Sequence, residues 1–312
     1  MNYGDLLTPI TSVSRFIENK SVNNQMCDLR KLFDDSDNLP SIPKVVRELI
    51  SQLNHNDVSM EGLANTLSND QNLSAKVLRV ANSSYYQMSR KISSIQEAIT
   101  IMGLKNLQNI VLTTGVTAAF ANYQKHKISP FLITSFKTAT LSFELAKHLK
   151  PKGFPIDENT CFIIGLLHNI GEVLIQVQTP EKGQLILCRV ESGEQRKVVE
   201  RDVLGISSNV LSAQLAKYWQ LPEVVYETLA MDIEHHDIVS FYEDSSLASE
   251  EFASAVIVYI SQHIARHSDD MESESDILEN ELLSVMINQD IKELLERIGL
   301  KQLNVAAREI FE

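Results

Sequence analysis

His168 and Asn169 stand side by side in the apolar run "CFIIGLLHNIGEVLI", with Glu172 just beyond them. An imidazole followed by a carboxylate would place two adjacent ligands for a divalent cation, the start of a hydrolytic metal site. Here the second residue is an amide. Asn169 offers a neutral carbonyl and two N–H donors, and it cannot supply the anionic oxygen that balances a dication. A hydrolytic centre also needs further carboxylates and imidazoles converging from other helices. The competing reading of His168 is a hydrogen-bonded core residue.

Other groups that could do chemistry are weaker. His235 and His236 are adjacent, and neighbours on a helix point ~100° apart, so one metal rarely takes both. No HExxH spacing accompanies them, and they read as an exposed pair near a helix end. Cys27, Cys161 and Cys188 are far apart and form no CxxC, which suits a reducing cytosol. Cys161 lies two turns before His168 and could share its face, but nothing supplies a third orienting group for a nucleophile. The basic clusters "KHK" (125–127) and "KHLKPK" (147–152) read as solvated helix ends. The helix–break–helix outline at 59–81 could be a DNA-reading helix-turn-helix, yet its second helix carries only Lys76 and Arg79 as cations. Packing of two core helices is the favoured reading there. The formal charge of −13 opposes broad binding to a phosphate backbone.

The elements that must position these residues are helices. Glycine (11) and proline (8) are scarce in 312 residues, and no stretch demands a sheet. Apolar spacing predicts helices through "LPSIPKVVRELISQL", beginning at Ser41 or Pro43, and through a short segment capped by Ser59. Asp70 should cap the next helix, with Leu73, Val77, Leu78 and Ala81 inward. Ser94 and Glu97 form a capping-box pattern ahead of Ile95, Ala98, Ile99 and Met102, and Gly103 ends that helix. Further helices are expected at "LKNLQNIVLTTGVTAAF", at 131–149, at 158–177 around His168, and in "SSNVLSAQLAKYW", "QLPEVVYETLAMDIEHH" and "FASAVIVYISQHIARH". One or two helices are expected within 180–205, and a helical tail over 282–312. The N-terminus has no signal-peptide pattern. The apolar run around His168 is about 15 residues and interrupted by polar groups, short of the ~20 a membrane span needs.

Several of these segments, in order, resemble the HDOD family, the output-domain relatives of HD-domain phosphohydrolases. They are "LPSIPKVVRELISQL", "LANTLSNDQNLSAKVLRVANSSYY", "KISSIQEAITIMGLKNLQNIVL", "GLLHNIGEVLI" and "LGISSNVLSAQLAKYWQLPEVV". The texts "VLRVANSSYY" and "ISSIQEAITIMGL" are the most specific. The resemblance implies an all-α, two-lobed, multi-helix bundle with an HD-domain-like C-terminal lobe. The expected organisation is an N-terminal extension and linker over 1–38, then an HDOD domain over 39–240. Its helical lobe spans about 39–125 and its HD-like lobe about 126–240. Helices with an acidic segment follow over 241–312, the first completing the HD-like lobe.

Catalytic HD proteins hold one or two metals with a histidine, a His-Asp pair and a later aspartate. Carried onto this chain, those positions fall at Thr138, at His168-Asn169 and near Gln262. Positions for a second metal fall near Ser208 and near Asp232-Ile233, with His235-His236 about one turn late. One imidazole among Thr, Asn and Gln should not retain a catalytic dication. The expectation is therefore no catalytic residue, no metal and no cofactor. His168, Asn169, Thr138, Ser208 and Asp232 remain as a candidate ligand or partner pocket. The chain is read as a cytoplasmic, bacterial, non-catalytic signalling module that binds a partner protein or a small ligand. A cryptic HD-type phosphodiesterase and a helix-turn-helix regulator are the alternatives. Neither a membrane nor nucleic acid is expected as a partner.

Overall fold

A computed structural model of the chain describes residues 39–44, 46–47, 62, 64–65, 67, 70–86, 88–121, 123, 125–233, 249–267 and 289–311. Among the described residues every regular element is a helix, and no strand occurs. In chain order the α-helices are α1 (Gln71–Ala81), α2 (Ile95–Met102), α3 (Leu104–Ala119) and α4 (Lys125–Leu149). They continue with α5 (Glu158–Leu167), α6 (Ile170–Gln178), α7 (Pro180–Glu191), α8 (Arg196–Leu204) and α9 (Ser208–Tyr218). The remainder are α10 (Glu223–Ala230), α11 (Glu250–His267), α12 (Gln289–Ile298) and α13 (Leu300–Phe311). The expected cap at Ser59 and the pair His235-His236 lie outside the described residues.

Local chemistry sets the helix ends. Asp70 caps α1 by accepting from Leu73 N at 2.9 Å. Ser94 caps α2 by accepting from Glu97 N at 3.1 Å. The reciprocal half of the capping box is shifted by one residue: the Glu97 carboxylate takes the N–H of Ser93, at 2.8 Å. Gly103 ends α2 at φ +82°, a conformation that favours glycine. The turn "NSSYY" is pinned by Asn82, whose amide donates to Leu78 O and Ile92 O while its oxygen accepts from Ile92 N.

Four boundaries differ from the periodicity. The helix expected through "QLPEVVYETLAMDIEHH" ends at Ala230, where Met231 turns to an extended conformation. α4 begins at Lys125 rather than 131, because Pro130 lies in the second turn and the helix continues through it. The described part of the tail, 289–311, is two helices, broken at Gly299 with φ +71°. The helix expected over 158–177 is interrupted at His168-Asn169, where Asn169 adopts φ −111°, ψ 13°. Polar tertiary bonds at Asn169, described below, account for that break. Taken together, Glu158–Gln178 is long and apolar enough to cross a membrane by composition, but 83% of its most apolar window is buried inside the protein.

α4 is the hub. α5, α6, α11 and α13 all pack on it, and Phe136, Ala139, Leu141 and Ala146 on α4 are essentially inaccessible. One apolar cluster runs from Leu39 to Phe311. A smaller one, centred on Val199 and Leu211, joins α6, α7, α8 and α9. Trp219 Nε1 donates to Pro40 O at 2.8 Å, tying the start of the described chain to the end of α9. α13 closes the other side. Arg79 donates to Ile310 O, Ser129 Oγ donates to Phe311 O at 3.1 Å, and Ser84 N donates to the Glu309 carboxylate at 2.9 Å. Arg79, one of the two cations of the helix-turn-helix reading, is thus held against the end of α13.

Glu158, at the start of α5, joins this helix to α3 and to the end of α4. It pairs with Lys105 at 2.6 Å and Lys150 at 2.8 Å, and its side chain is only 10% exposed. Burial alone would raise its pKa, but the two ammonium groups outweigh it and bring the carboxyl down to about 2. A carboxyl whose pKa falls on folding stabilises the fold above its unfolded value of 4.5, and the contribution is lost as pH falls towards 2. Glu158→Gln is expected to cost about 2 kcal/mol at pH 7. In urea titrations the gap between variant and wild type should narrow steadily from pH 4.5 down to pH 2.

Candidate functional site

The stretch Gly165–Glu172 folds as a junction at which three helices meet. His168 sits at the end of α5. Its Nδ1 lies 2.7 Å from Gly165 O. A carbonyl can only accept, so Nδ1 carries the proton and Nε2 presents a lone pair. That Nε2 is buried and has no hydrogen-bond partner among the described residues. Burial drives the imidazole pKa down to about 3, with Gly165 O opposing and the positive charge of Arg266 reinforcing the fall. The ring is neutral at physiological pH.

Asn169 turns the other way. It accepts from Ser135 Oγ and donates through Nδ2 to Phe131 O at 3.1 Å. Both partners are on α4, so the amide uses acceptor and donor at once to fasten the break in the helix. The two glycines serve close approach. A Cβ on Gly165 would lie 2.8 Å from Ala139 Cα on α4, and one on Gly171 would lie 2.0 Å from Ser208 O on α9. Gly171 N also donates to Ser212 Oγ at 2.9 Å, and Ser212 Oγ donates to His168 O at 3.2 Å. The junction is therefore bonded to α4 on one side and α9 on the other.

Beside it opens a cavity of about 220 Å³ between α5, α6, α8, α9, α11 and the segment after α10. An ionic chain crosses its wall. Arg196 on α8 reaches Glu172 at 3.2 Å and Glu200 at 3.6 Å, while Arg266 on α11 reaches the other oxygen of Glu172 at 3.4 Å. Glu200 is 1% exposed. Its carboxylate accepts from both Ser208 N (2.8 Å) and Ser208 Oγ (3.0 Å). Burial pushes the Glu200 pKa up, and the Ser208 bonds act against that. Lys197 pairs with Asp232 at the same wall.

Of the positions singled out in the sequence, the structure brings His168, Ser208, Asp232 and Gln262 to this one cavity. Thr138 and Asn169 are not among its lining residues. Thr138 is wholly buried in α4, with its Oγ1 lacking a hydrogen-bond partner among the described residues. Asn169 instead bonds to Ser135 and Phe131 on α4. Cys161 is fully buried and its thiol is pushed up to about 12, so no thiolate is available at neutral pH. The cluster 147–152 is engaged within the protein: Lys150 with Glu158 and Lys147 over the Phe143 ring. Arg196, Glu200 and Arg266 were missed from sequence. Only the i,i+4 pair Arg196–Glu200 carried a local signal.

Among the described residues, the donors at this wall do not fit a catalytic dication. Among the described residues no three His, Cys, Asp or Glu side chains group as a metal site. The carboxylates nearest His168 are held by guanidinium groups, and Gln262 is neutral. A dication at this wall would have to compete with two permanent cations for Glu172.

The family model "HDOD domain" matches residues 39–237. The chain belongs to the HDOD family. Among solved structures, this HDOD chain is similar to an HDOD domain protein with unknown function from Geobacter sulfurreducens, at 23% identity and TM-score 0.69, covering 93% of this chain and 99% of that one. It is also similar to a protein named "Putative phosphohydrolase" from Shewanella amazonensis SB2B, at 24% identity and TM-score 0.68, covering 91% and 98%. At those identities the likeness establishes the all-helical HDOD fold. An uncharacterized protein of Treponema pallidum (strain Nichols) is 25% identical over 258 residues, 80% of this chain and 48% of that protein. The HDOD chain thus spans about half the length of that curated relative.

Two substitutions test the junction. Gly171→Ala must push α6 from α9 and is expected to cost about 3 kcal/mol, read by denaturant unfolding. Asn169→Asp removes the donor to Phe131 O and sets a carboxylate against a carbonyl. It should cost about 2 kcal/mol at pH 7, and the purified variant should take up no more Mn²⁺ than wild type in equilibrium dialysis.

Proposed function

We propose that this HDOD chain is a non-catalytic regulatory module that transmits a signal by binding a partner protein or a small ligand. The observation that carries this reading is the ionic chain Arg266–Glu172–Arg196–Glu200 at the wall beside His168. It places fixed guanidinium charges where hydrolysis would require carboxylates free to hold a metal and activate water. Uncharged side chains at the remaining expected ligand positions, the buried Thr138 and the cavity-lining Gln262, support the same reading. Cys161 and Cys188 are free thiols, which supports action in a reducing cytoplasm.

The rival reading is a phosphohydrolase. Its support is the Nε2 lone pair of His168 beside a polar cavity, together with the fold shared with the Shewanella protein.

A single experiment separates the two. The full chain is purified without chelator, its metal content is measured by mass spectrometry, and bis(p-nitrophenyl) phosphate hydrolysis is assayed with added Mn²⁺, Fe²⁺ or Mg²⁺. The regulatory reading expects metal well below one equivalent and no turnover above a His168→Ala control. Stoichiometric metal with turnover that depends on His168 would replace it with the enzymatic one.

A further inference from the structure

The cavity combines three features that together define a ligand. The first is an acceptor. His168 Nδ1–H is committed to Gly165 O, so Nε2 can only accept, and it is buried with no partner among the described residues. A buried lone pair left unmet is costly, so the site calls for a group that brings an N–H or O–H to it.

The second is a pair of incompletely used donors. Arg196 meets Glu172 and Glu200 through Nη1, and Arg266 meets Glu172 through Nη2. Each guanidinium carries five N–H donors, more than these contacts require, so both forks can serve a further acceptor. Glu172 stands between them and holds the two forks on one wall.

The third is size. At about 220 Å³ the cavity is smaller than the pockets of roughly 300–1,000 Å³ that hold drug-sized ligands. It suits a molecule of a few carbons.

We propose that this cavity is a metal-independent receptor site for a small hydroxylated or amino-bearing anion. Its O–H or N–H donates to His168 Nε2 while its carboxylate or phosphate lies against Arg196 and Arg266. Glu172 is a positioning residue that holds both guanidinium groups. The assignment deepens the regulatory reading above, since it names the chemistry of the ligand that such a module would sense.

Matched probes test it on the full chain in EDTA. Glycolate is compared with acetate, and 2-hydroxyethyl phosphate with ethyl phosphate. Each pair adds a hydroxyl to the same anion, and the two pairs distinguish carboxylate from phosphate. The readouts are the ¹⁵N shift of His168 Nε2, observed through the ring protons, and the dissociation constant from the titration.

The hydroxylated member of at least one pair should move the Nε2 resonance and bind about tenfold more tightly than its partner. Arg266→Gln, a change at a partly exposed side chain, should weaken that probe about tenfold and leave the fold intact by circular dichroism. His168→Phe should abolish the preference for the hydroxylated member.

The assignment is overturned if no hydroxylated probe moves Nε2 at tens of millimolar. It is equally overturned if both members of each pair bind alike, or if Arg266→Gln is without effect. Because EDTA is present throughout, failure here leaves the regulatory reading standing, whereas metal-dependent turnover would remove that reading without touching these shifts.

Discussion

Two hydrogen bonds from one amide organise the centre of this protein. Asn169 accepts a hydrogen bond from Ser135 Oγ and donates one to Phe131 O, and both partners belong to α4, the helix on which α5, α6, α11 and α13 pack. An amide can do this because it is donor and acceptor together. A carboxylate at the same place could accept from Ser135 but would repel the Phe131 carbonyl. The position that could have completed a metal-binding pair is therefore employed in holding the helix break to the hub.

The rest of the site follows from that anchorage. With Asn169 turned towards α4, His168 is left at the end of α5 with its Nδ1–H on its own helix and its Nε2 without a partner among the described residues. Gly165 and Gly171 flank the junction at separations that no side chain would allow. They let α4 and α9 come close enough for Ser212 to bond to both His168 O and Gly171 N. α9 in turn presents Ser208 to Glu200, and α8 brings Arg196 beside Glu172. Each contact fixes the next, so the cavity wall is a product of packing at two glycines as much as of the charged residues themselves.

The electrostatics are correspondingly local. Across the cavity, Arg196, Lys197 and Arg266 face Glu172, Glu200 and Asp232, and the formal charges cancel. What distinguishes the site is the geometry of donors and acceptors within a balanced set. Elsewhere Glu158 achieves a different balance: two lysines hold one carboxylate strongly ionised and tie three parts of the chain together.

The sequence by itself determined the helical class, most helix positions and the caps at Asp70 and Ser94, because these depend on residues within one turn of each other. It also determined the family, through ordered segments such as "VLRVANSSYY", and it marked His168, Ser208, Asp232 and Gln262 as positions worth following. Only the tertiary structure decided which way Asn169 faces, since its partners Ser135 and Phe131 lie far along the chain, and only it showed that Thr138 is wholly buried in the hub helix. It alone brought Arg266 to Glu172 across 94 residues. Helix periodicity reports which face is buried. It carries no information on which buried polar groups meet, because those pairings arise only when separate helices are brought into contact.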